Sequence, residues 1–290
     1  MMDEYHKPVL IAEVINYLQQ GKGGVYVDAT FGGGGHTRAL LEADPACTVI
    51  AYDWDECALQ MNGVPLQELY PDRLQLVWGN FSRLRHHLKK LGIQKVDGIL
   101  ADFGTSQYQI HHQEGFSFRE SSPLDMRMSK GHFEATAADV VNRSSEKELA
   151  RILYEYGEER HAARIAREII ASRPLATTKE LADVVIRAVP FGKSRIHPAT
   201  KTFQALRMVV NQELENIHAF LLQVAHVVRS GGRLVCISFH SLEDRLVKHY
   251  LRDHQDEWET VTKRVVIASD EEMMENPSSR SAKLRCAQRR

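Results

Sequence analysis

Short apolar segments and helix-like segments alternate along the N-terminal third of the chain. Runs rich in β-branched and aromatic residues recur at Val25–Val27, Val49–Tyr52, Leu74–Val77 and Val96–Ala101. Each run closes near an acid, a glycine or an asparagine, and helix-like stretches separate most of them. Strands that alternate with helices form βαβ units, whose strands run parallel. This part of the chain therefore predicts an α/β fold with a parallel sheet.

The middle of the chain has the apolar spacing of helices instead. Ser145 with Glu148, and Thr177 with Glu180, have the spacing of capping boxes, in which each side chain satisfies a backbone donor at a helix start. We therefore expect a helical stretch over Leu149–Ala171 that is broken or bent at Gly157, and a second helix that starts at Thr177 and stops at Pro190.

A longer helix and one more strand complete the pattern. Apolar residues recur three or four positions apart from Phe203 to Val228, which predicts one buried helical stripe that ends at Gly231 and Gly232. The run Arg233–Phe239 then predicts a buried strand, so the sheet resumes after a helical detour. The predicted segments are a first sheet segment at 1–108, an inserted helical domain at 109–204 and a second sheet segment at 205–290.

Composition and charge restrict the class of protein. With 290 residues, of which 43% are hydrophobic and 26% charged, the chain has enough apolar sequence for a large core. Its formal net charge of −1 gives no overall positive field, so any contact with nucleic acid has to be local. The four cysteines are scattered, which is typical of a reduced compartment. Because no apolar run reaches about 18 residues, we expect a cytoplasmic protein without membrane contact.

The segment with the clearest chemical meaning is a strand that runs into four glycines and then a helix. The strand ends at Asp28, the glycines are Gly32–Gly35, and His36 follows them. Glycine lets the backbone turn sharply and approach a ligand without a Cβ in the way. Asp53 ends the next strand, where a carboxylate accepts hydrogen bonds from both hydroxyls of a ribose. The combination indicates a nucleoside ligand, with a flexible surface turn as the alternative.

Dinucleotide-binding folds share this layout but differ in glycine spacing. Counted from Gly32, the third glycine of Gly-x-Gly-x-x-Gly falls at Thr37, so the pattern favours a nucleoside without a pyrophosphate over NAD. Two further strand ends carry Phe81 and Asp102, and both are expected at the same carboxyl edge of a doubly wound sheet. Phe81 is placed to cover a base, with core packing as the alternative.

Segments spread over nearly the whole chain match one set of known motifs. They are His6–Leu10, Asp28–Thr37, Gly115–Phe118, Pro123–Met128, Tyr156–Arg160, His197–Arg207, Ser238–Arg245 and Ser279–Arg285. On these segments the chain resembles the MraW/RsmH family of ribosomal RNA (cytosine-N4) methyltransferases. It departs from the family pattern after Asp102, where the residues up to Gln109 replace the usual Leu-Gly-Val-Ser-Ser-Pro-Gln.

The resemblance implies a Rossmann-like class I methyltransferase with a mostly parallel doubly wound sheet and an inserted all-helical domain for substrate recognition. It implies S-adenosyl-L-methionine as the methyl donor. The residues at the family's cofactor positions are Gly34, Gly35, His36, Asp53, Phe81, Asp102 and Gln109.

The implied reaction is methylation of the N4 amino group of a cytidine in the decoding region of 16S ribosomal RNA, within the small ribosomal subunit. A duplex hides this group, so the base has to be unpaired or extruded. Asp102 is predicted to be catalytic, as an acceptor for the amine hydrogens or a clamp on the cofactor, with turn capping as the alternative. His240, at the end of a later strand, is the second predicted catalytic residue. Ser241 with Asp244 has capping-box spacing, so we predict Ser241 as a helix N-cap.

Other features leave alternatives open. His111 and His112 lack any motif of a metal site, so we expect them to face solvent or RNA and expect no metal. The chain after Glu275 carries Arg and Lys but no acid, which indicates either a phosphate contact or a solvated basic tail. A homodimer is left open. The rival functions are an NAD-dependent oxidoreductase and a non-enzymatic RNA-binding assembly factor.

Overall fold

The computed structural model of the protein describes residues 8–21, 23–104, 113–189 and 197–290. Two residue groups singled out in the sequence, Gln109 and the pair His111-His112, lie outside these ranges. The chain forms two units, one of Met1–Ser106 with Leu214–Arg290 and one of Gln107–Glu213. Within the described ranges, no helix is both long and apolar enough to cross a membrane.

The first unit contains a seven-stranded sheet. Its strands are β1 (Gly24–Asp28), β2 (Cys47–Asp53), β3 (Leu74–Trp78), β4 (Val96–Phe103), β5 (Val228–Ser238), β6 (Trp258–Thr260) and β7 (Lys283–Arg289). They lie in the order β3-β2-β1-β4-β5-β7-β6. Strands β1 to β5 pair in parallel, whereas β7 runs antiparallel to β5 and β6. The predicted Rossmann-like architecture with a mostly parallel sheet is confirmed.

Helices cover both faces of this sheet and form the second unit. They are α1 (Ile11–Leu18), α2 (Gly35–Ala43), α3 (Glu56–Ala58 continued by Leu59–Gly63 and Val64–Leu69), α4 (Leu84–Lys90), α5 (Ala137–Arg143), α6 (Glu146–Glu155), α7 (Ala162–Ala171), α8 (Thr178–Ala188), α9 (Thr200–Val210), α10 (Glu213–Val227), α11 (Ser241–Asp253) and α12 (Asp270–Glu275). Apolar residues of α1, α2 and α3 pack on one face of the sheet. Those of α4, α10 and α11 pack on the other.

The second unit is helical and has its own core. Residues of α5 to α9 form one apolar cluster that is separate from the two clusters at the sheet. Thr177 caps α8 in a complete capping box with Glu180, as the sequence predicts. Ser145 caps α6 by accepting a hydrogen bond from the Glu148 N–H, but the Glu148 carboxylate pairs with Arg151 instead. The inserted all-helical domain of the predicted fold class is present.

The single long helix predicted from Phe203 to Val228 is wrong. The structure divides it into α9 and α10, and β5 already begins at Val228. Gln212, between the two helices, has a left-handed φ of 49°. The Asn211 side chain accepts a hydrogen bond from the Met128 N–H at 2.7 Å and donates one to the Met126 carbonyl at 2.8 Å. These tertiary contacts compete with a continuous helix, although the apolar spacing runs through the break.

The basic C-terminal segment is largely a strand and not a free tail. Most of the residues after Glu275 lie in a short 3-10 helix and in β7, which pairs with β5 and β6. The Arg285 guanidinium donates two hydrogen bonds to Asp244, at 2.7 and 3.0 Å. Arg289 donates to the Glu257 carbonyl oxygen at 2.7 Å. A deletion of residues 286–290 would therefore remove part of the sheet.

Candidate active site

The glycine loop joins β1 to α2 with a backbone that favours glycine at two positions. Gly32 has a φ of 52° and Gly34 a φ of 76°, both in the left-handed region. A Cβ atom on Gly34 would lie 2.6 Å from the Phe31 ring, and one on Gly35 would lie 2.5 Å from Pro8. The sharp turn predicted from the sequence is present, and the surrounding packing leaves no room for a larger residue.

Asp53 ends β2 and its carboxylate faces this loop. Its Oδ2 accepts a hydrogen bond from the Gly32 N–H at 2.7 Å, and its Oδ1 accepts one from the Asp55 N–H at 2.9 Å. Each carboxylate oxygen has a further lone pair, so the group can still accept hydrogen bonds from a ligand. Burial raises the pKa of Asp53 to about 7, although both backbone hydrogen bonds act in the opposite direction.

Asp102, the residue before the last of β4, is buried beside His36. Its backbone N–H donates to the Thr30 hydroxyl at 2.7 Å, and its Oδ2 lies 3.7 Å from His36 Nδ1. Among the described residues, its Oδ1 has no hydrogen-bond partner. Burial raises the pKa of Asp102 to about 6, while His36 lowers it and the charges of Asp28 and Glu243 raise it further. A buried carboxylate oxygen without a donor is a place where a ligand's N–H or O–H group binds.

His36 is oriented by the backbone of the N-terminal segment. Its Nε2 lies 2.8 Å from the Val9 carbonyl oxygen, which only accepts hydrogen bonds. Nε2 is therefore the donor in this hydrogen bond, and Nδ1 is the atom that faces Asp102. His36 is thus a buried residue in the first turn of α2, which begins directly before it at Gly35.

Phe81 begins the short 3-10 turn that follows β3. Its ring centroid lies 5.6 Å from that of Phe220, 5.9 Å from that of Phe103 and 6.0 Å from that of Trp54. Core packing, the alternative considered from sequence, therefore accounts for much of the contact surface of the Phe81 side chain. Because Phe81 is only partly buried, its role in covering a base stays a prediction.

His240 is the N-cap of α11, so the prediction that Ser241 is the cap is wrong. The Glu243 N–H donates to His240 Nδ1 at 3.4 Å, and Glu243 Oε2 accepts from the N–H groups of Phe239 and His240 at 2.8 and 3.3 Å. The capping box therefore starts one residue earlier than the Ser-x-x-Asp spacing indicated, because buried Glu243 reaches back over the turn. His240 Nε2 lies 3.0 Å from Glu243 Oε1, and a catalytic role for His240 stays a prediction.

Three polar residues at this edge were not predicted from sequence. The Thr30 hydroxyl accepts from the Asp102 N–H and thereby connects the loop to β4. The Asn80 Nδ2 donates to Asn216 Oδ1 at 3.0 Å, which connects the end of β3 to α10. Thr30 and Asn80 stand in segments that the sequence marked, whereas the apolar spacing of α10 contains no signal for Asn216.

The charge of the site favours a cationic ligand. Asp28, Asp53 and Asp102 lie at the carboxyl ends of adjacent parallel strands; Asp28 and Asp102 are buried and Asp53 is partly buried, and desolvation raises the pKa of each. No described lysine or arginine forms an ion pair with any of the three. A positively charged sulfonium compensates buried carboxylates, whereas a pyrophosphate would be repelled by them.

Comparison with known proteins identifies the family. A family model described as the MraW methylase family matches residues 3–290. This chain belongs to the MraW methylase family. A relative in Cyanothece sp., named ribosomal RNA small subunit methyltransferase H, is 51% identical over 285 residues that cover 98% of this chain and 94% of the relative. Proteins of the same name in Nostoc punctiforme and Thermotoga neapolitana are 49% and 47% identical, and they cover 98% of this chain and 94% and 96% of their own lengths.

The MraW-family chain is thus a methyltransferase, and S-adenosyl-L-methionine is its methyl donor, as the sequence resemblance implied. The described residues fit this donor in two respects. The loop leaves no room for a Cβ at Gly34 or Gly35, and each carboxylate oxygen of Asp53 keeps a lone pair beyond its backbone hydrogen bond.

Binding of S-adenosylmethionine is expected to strengthen as the pH rises toward 8. The ionised Asp53 carboxylate is the form that accepts ribose hydroxyls, and its pKa is raised to about 7. The Kd should fall by at most roughly 10-fold per pH unit below this value and then level off. Isothermal titration calorimetry between pH 5.5 and 8.5 measures the profile, and Asp53→Asn should flatten it.

The same raised pKa makes an independent prediction for the ligand-free protein. Between the ordinary pKa of 3.8 and about 7, folded Asp53 holds a proton that the unfolded chain has released. The free energy of unfolding should therefore decrease as the pH rises through this window, and Asp102 acts in the same direction up to about 6. For the binding prediction, a wild-type affinity for S-adenosylmethionine that does not change with pH would contradict the assignment of Asp53 as the acceptor of the ribose hydroxyls.

Proposed function

We propose that this chain transfers a methyl group from S-adenosylmethionine to the N4 amino group of a cytidine in the decoding region of 16S ribosomal RNA, within the small ribosomal subunit. The names of the relatives support a ribosomal RNA of the small subunit as the substrate. The sequence motifs support the cytosine-N4 chemistry by resemblance. In the structure, the observation that supports the proposal is that Asp102 Oδ1 has no hydrogen-bond partner among the described residues.

On this proposal, each predicted cofactor residue has one task. The backbone of Gly34 and Gly35 lies against the cofactor, Asp53 accepts its ribose hydroxyls and Phe81 covers its adenine. His36 holds the floor of the loop through its bond to Val9. When bound, S-adenosylmethionine supplies an electrophilic methyl group on a positively charged sulfur. Gln109, outside the described residues, stays a predicted member of this set.

Asp102 is proposed to act on the amine of the target base. The lone pair of an exocyclic amino group is conjugated with the ring, so the amine becomes nucleophilic only when its geometry and hydrogen bonds favour a localised pair. Asp102 Oδ1 accepts one amine hydrogen and fixes the nitrogen. Because its pKa is raised to about 6, the carboxylate is mostly ionised at neutral pH and yet basic enough to accept a proton.

The helical unit of residues 107–213 is proposed to hold the RNA that flanks the target. A base that reacts at its N4 amino group has to leave its pair, and the flanking strand then needs a second binding surface. The sequence predicts the boundaries of this helical domain at residues 109 and 204, and these boundaries are part of the proposal. His240 is kept as a secondary candidate: its Nδ1 caps α11, and its Nε2 lies 3.0 Å from Glu243 Oε1 without a hydrogen bond to any described residue.

The direct test is transfer of a labelled methyl group from S-adenosylmethionine to small ribosomal subunits that lack the modification. Mass spectrometry of the digested RNA should show N4-methylcytidine at one position in the decoding region. Methylation at another atom or another RNA would refute the finer assignment. Cofactor binding without any methylated product would favour the non-enzymatic assembly factor.

A further inference from the structure

The helix that follows β3 carries an unusual concentration of positive charge. Between Gly79 and Lys95 the chain has five lysine and arginine residues and no acid, although its overall net charge is −1. The exposed residues on and next to α4, here called the α4 strip, are Arg83, Arg85, His86, Lys89 and Lys90. The rest of the chain is therefore net negative, and the strip is a local exception to it.

The α4 strip has a fixed orientation. Leu84 and Leu88 are fully buried, which anchors the opposite side of α4 to the sheet. The Arg85 backbone N–H donates to Gln223 Oε1 at 3.0 Å, and Gln223 Nε2 donates to the Ser82 carbonyl at 2.5 Å, so α10 holds the start of the helix. The charged side chains consequently project from a rigid element and not from a loose loop.

The positive charges of the strip do not all stabilise α4. Lys89 and Lys90 lie in the last turn, where cations are favourable, but Arg83 and Arg85 lie at the start, where the helix dipole disfavours them and no acid offsets them. Arg85 and Lys89 are four residues apart, a spacing at which like charges repel. Neither these two residues nor Arg83 and Lys90 form an ion pair with a described acid. Positive charges that destabilise their own helix are explained if they bind an anion outside the protein.

The position of the strip identifies that anion. The strip starts at Arg83, two residues after Phe81, at the carboxyl edge of the sheet where Asp53 and Asp102 lie, and α4 leads from there back toward the start of β4. We propose that the α4 strip binds the phosphate backbone of the ribosomal RNA substrate beside the reacting nucleotide, an inference that rests on the proposed function. Lipid headgroups share the negative charge, but the apolar residues of α4 are buried and none is available for insertion into a membrane.

The test uses the full chain with Arg85→Ala, Lys89→Ala and Lys90→Ala combined. Affinity for unmodified small subunits, measured without methyl donor over a series of salt concentrations, should fall roughly 10- to 100-fold at low salt. The slope of log K against log salt should decrease by roughly 2 to 3, because each lost phosphate contact removes a little under one unit. The Kd for S-adenosylmethionine should not change.

A matched control removes the same charge elsewhere on the first unit. Lys248, Lys263 and Arg264 are exposed residues on α11 and after β6, toward the edge of the sheet opposite to β3. The combined alanine variant of these three should retain wild-type affinity and salt slope. Equal losses in both triple variants would show a general charge effect and overturn the proposal. So would an unchanged slope in the strip variant, or a loss confined to binding of phosphatidylserine vesicles.

A single charge reversal, Arg85→Glu, separates this proposal from the proposed function. Thermal unfolding should show that this variant is folded, and its affinity for small subunits should be reduced more than by Arg85→Ala.

If wild-type protein binds small subunits through the strip but methylates another atom, the proposed reaction is wrong and the role of the strip is supported. If N4-methylcytidine forms at the wild-type rate and KM in the strip variants, the proposed reaction stands and the strip fails.

Discussion

Replacing Asp102 with alanine is expected to reduce methyl transfer to small ribosomal subunits by at least about 10²-fold, the loss typical of removing one stabilising group from a reacting centre. The side chain lies at the carboxyl end of β4, and among the described residues its Oδ1 has no hydrogen-bond partner. The fold should remain intact, because the hydrogen bond from this residue to Thr30 comes from the backbone and survives the change. Thermal unfolding together with initial rates of methyl transfer measures both effects.

The same strand supplies the control for this prediction. Asp97 near the start of β4 accepts a hydrogen bond from the Val25 N–H at 2.7 Å and forms an ion pair with Arg229. Asp97→Ala should therefore lower the free energy of unfolding while the folded fraction keeps its rate of methyl transfer. Turnover by Asp102→Ala at the wild-type rate would contradict the role proposed for this residue, whatever its stability.

The second large effect is expected from Gly34→Ala. The new Cβ would lie 2.6 Å from the Phe31 ring, and the backbone φ of 76° is one that alanine disfavours. The two costs together should lower the free energy of unfolding by about 2–4 kcal/mol. The Kd for S-adenosylmethionine should rise strongly, because Gly34 is the N-cap of α2 and its displacement moves the loop. Denaturant unfolding and calorimetry measure the two quantities.

Two other glycines separate these contributions. Gly92 has a φ of 75° but nothing within 4 Å of its Cβ position, so Gly92→Ala reports the backbone cost without a clash. Gly21 has neither a left-handed φ nor a close neighbour, so Gly21→Ala should change the free energy of unfolding by at most about 0.5 kcal/mol. A Gly34→Ala variant as stable as Gly92→Ala would show that the Phe31 ring moves aside at little cost.

The expectations that the structure confirms come from local signals. The five strands read from apolar runs are β1 to β5, because a buried parallel strand needs a short run of β-branched residues wherever it lies in the chain. The glycine loop was found because left-handed φ angles favour glycine. Asp53 and Asp102 could be assigned to one edge because parallel strands end together.

The two expectations that failed have different causes. The break at Gln212 follows from hydrogen bonds of Asn211 to Met126 and Met128. The cap of α11 moves from Ser241 to His240 because Glu243 reaches back to the end of β5. The first contact has no local sequence signal, whereas the second is a His-x-x-Glu spacing that overlaps Ser-x-x-Asp and takes its place.

The sequence alone thus determined the parallel α/β architecture and the family, since periodicity, glycine requirements and motif spacing are properties of neighbouring residues; the cofactor residues stay predictions. Only the tertiary structure decided that the basic C-terminal segment is largely strand β7 and that, within the part of the chain that the structure describes, Asp102 keeps an unpaired buried oxygen and the cations of the α4 strip form no ion pair. Burial, hydrogen-bond satisfaction and ion pairing depend on which distant segments meet, and that is settled when the sheet and its helices pack.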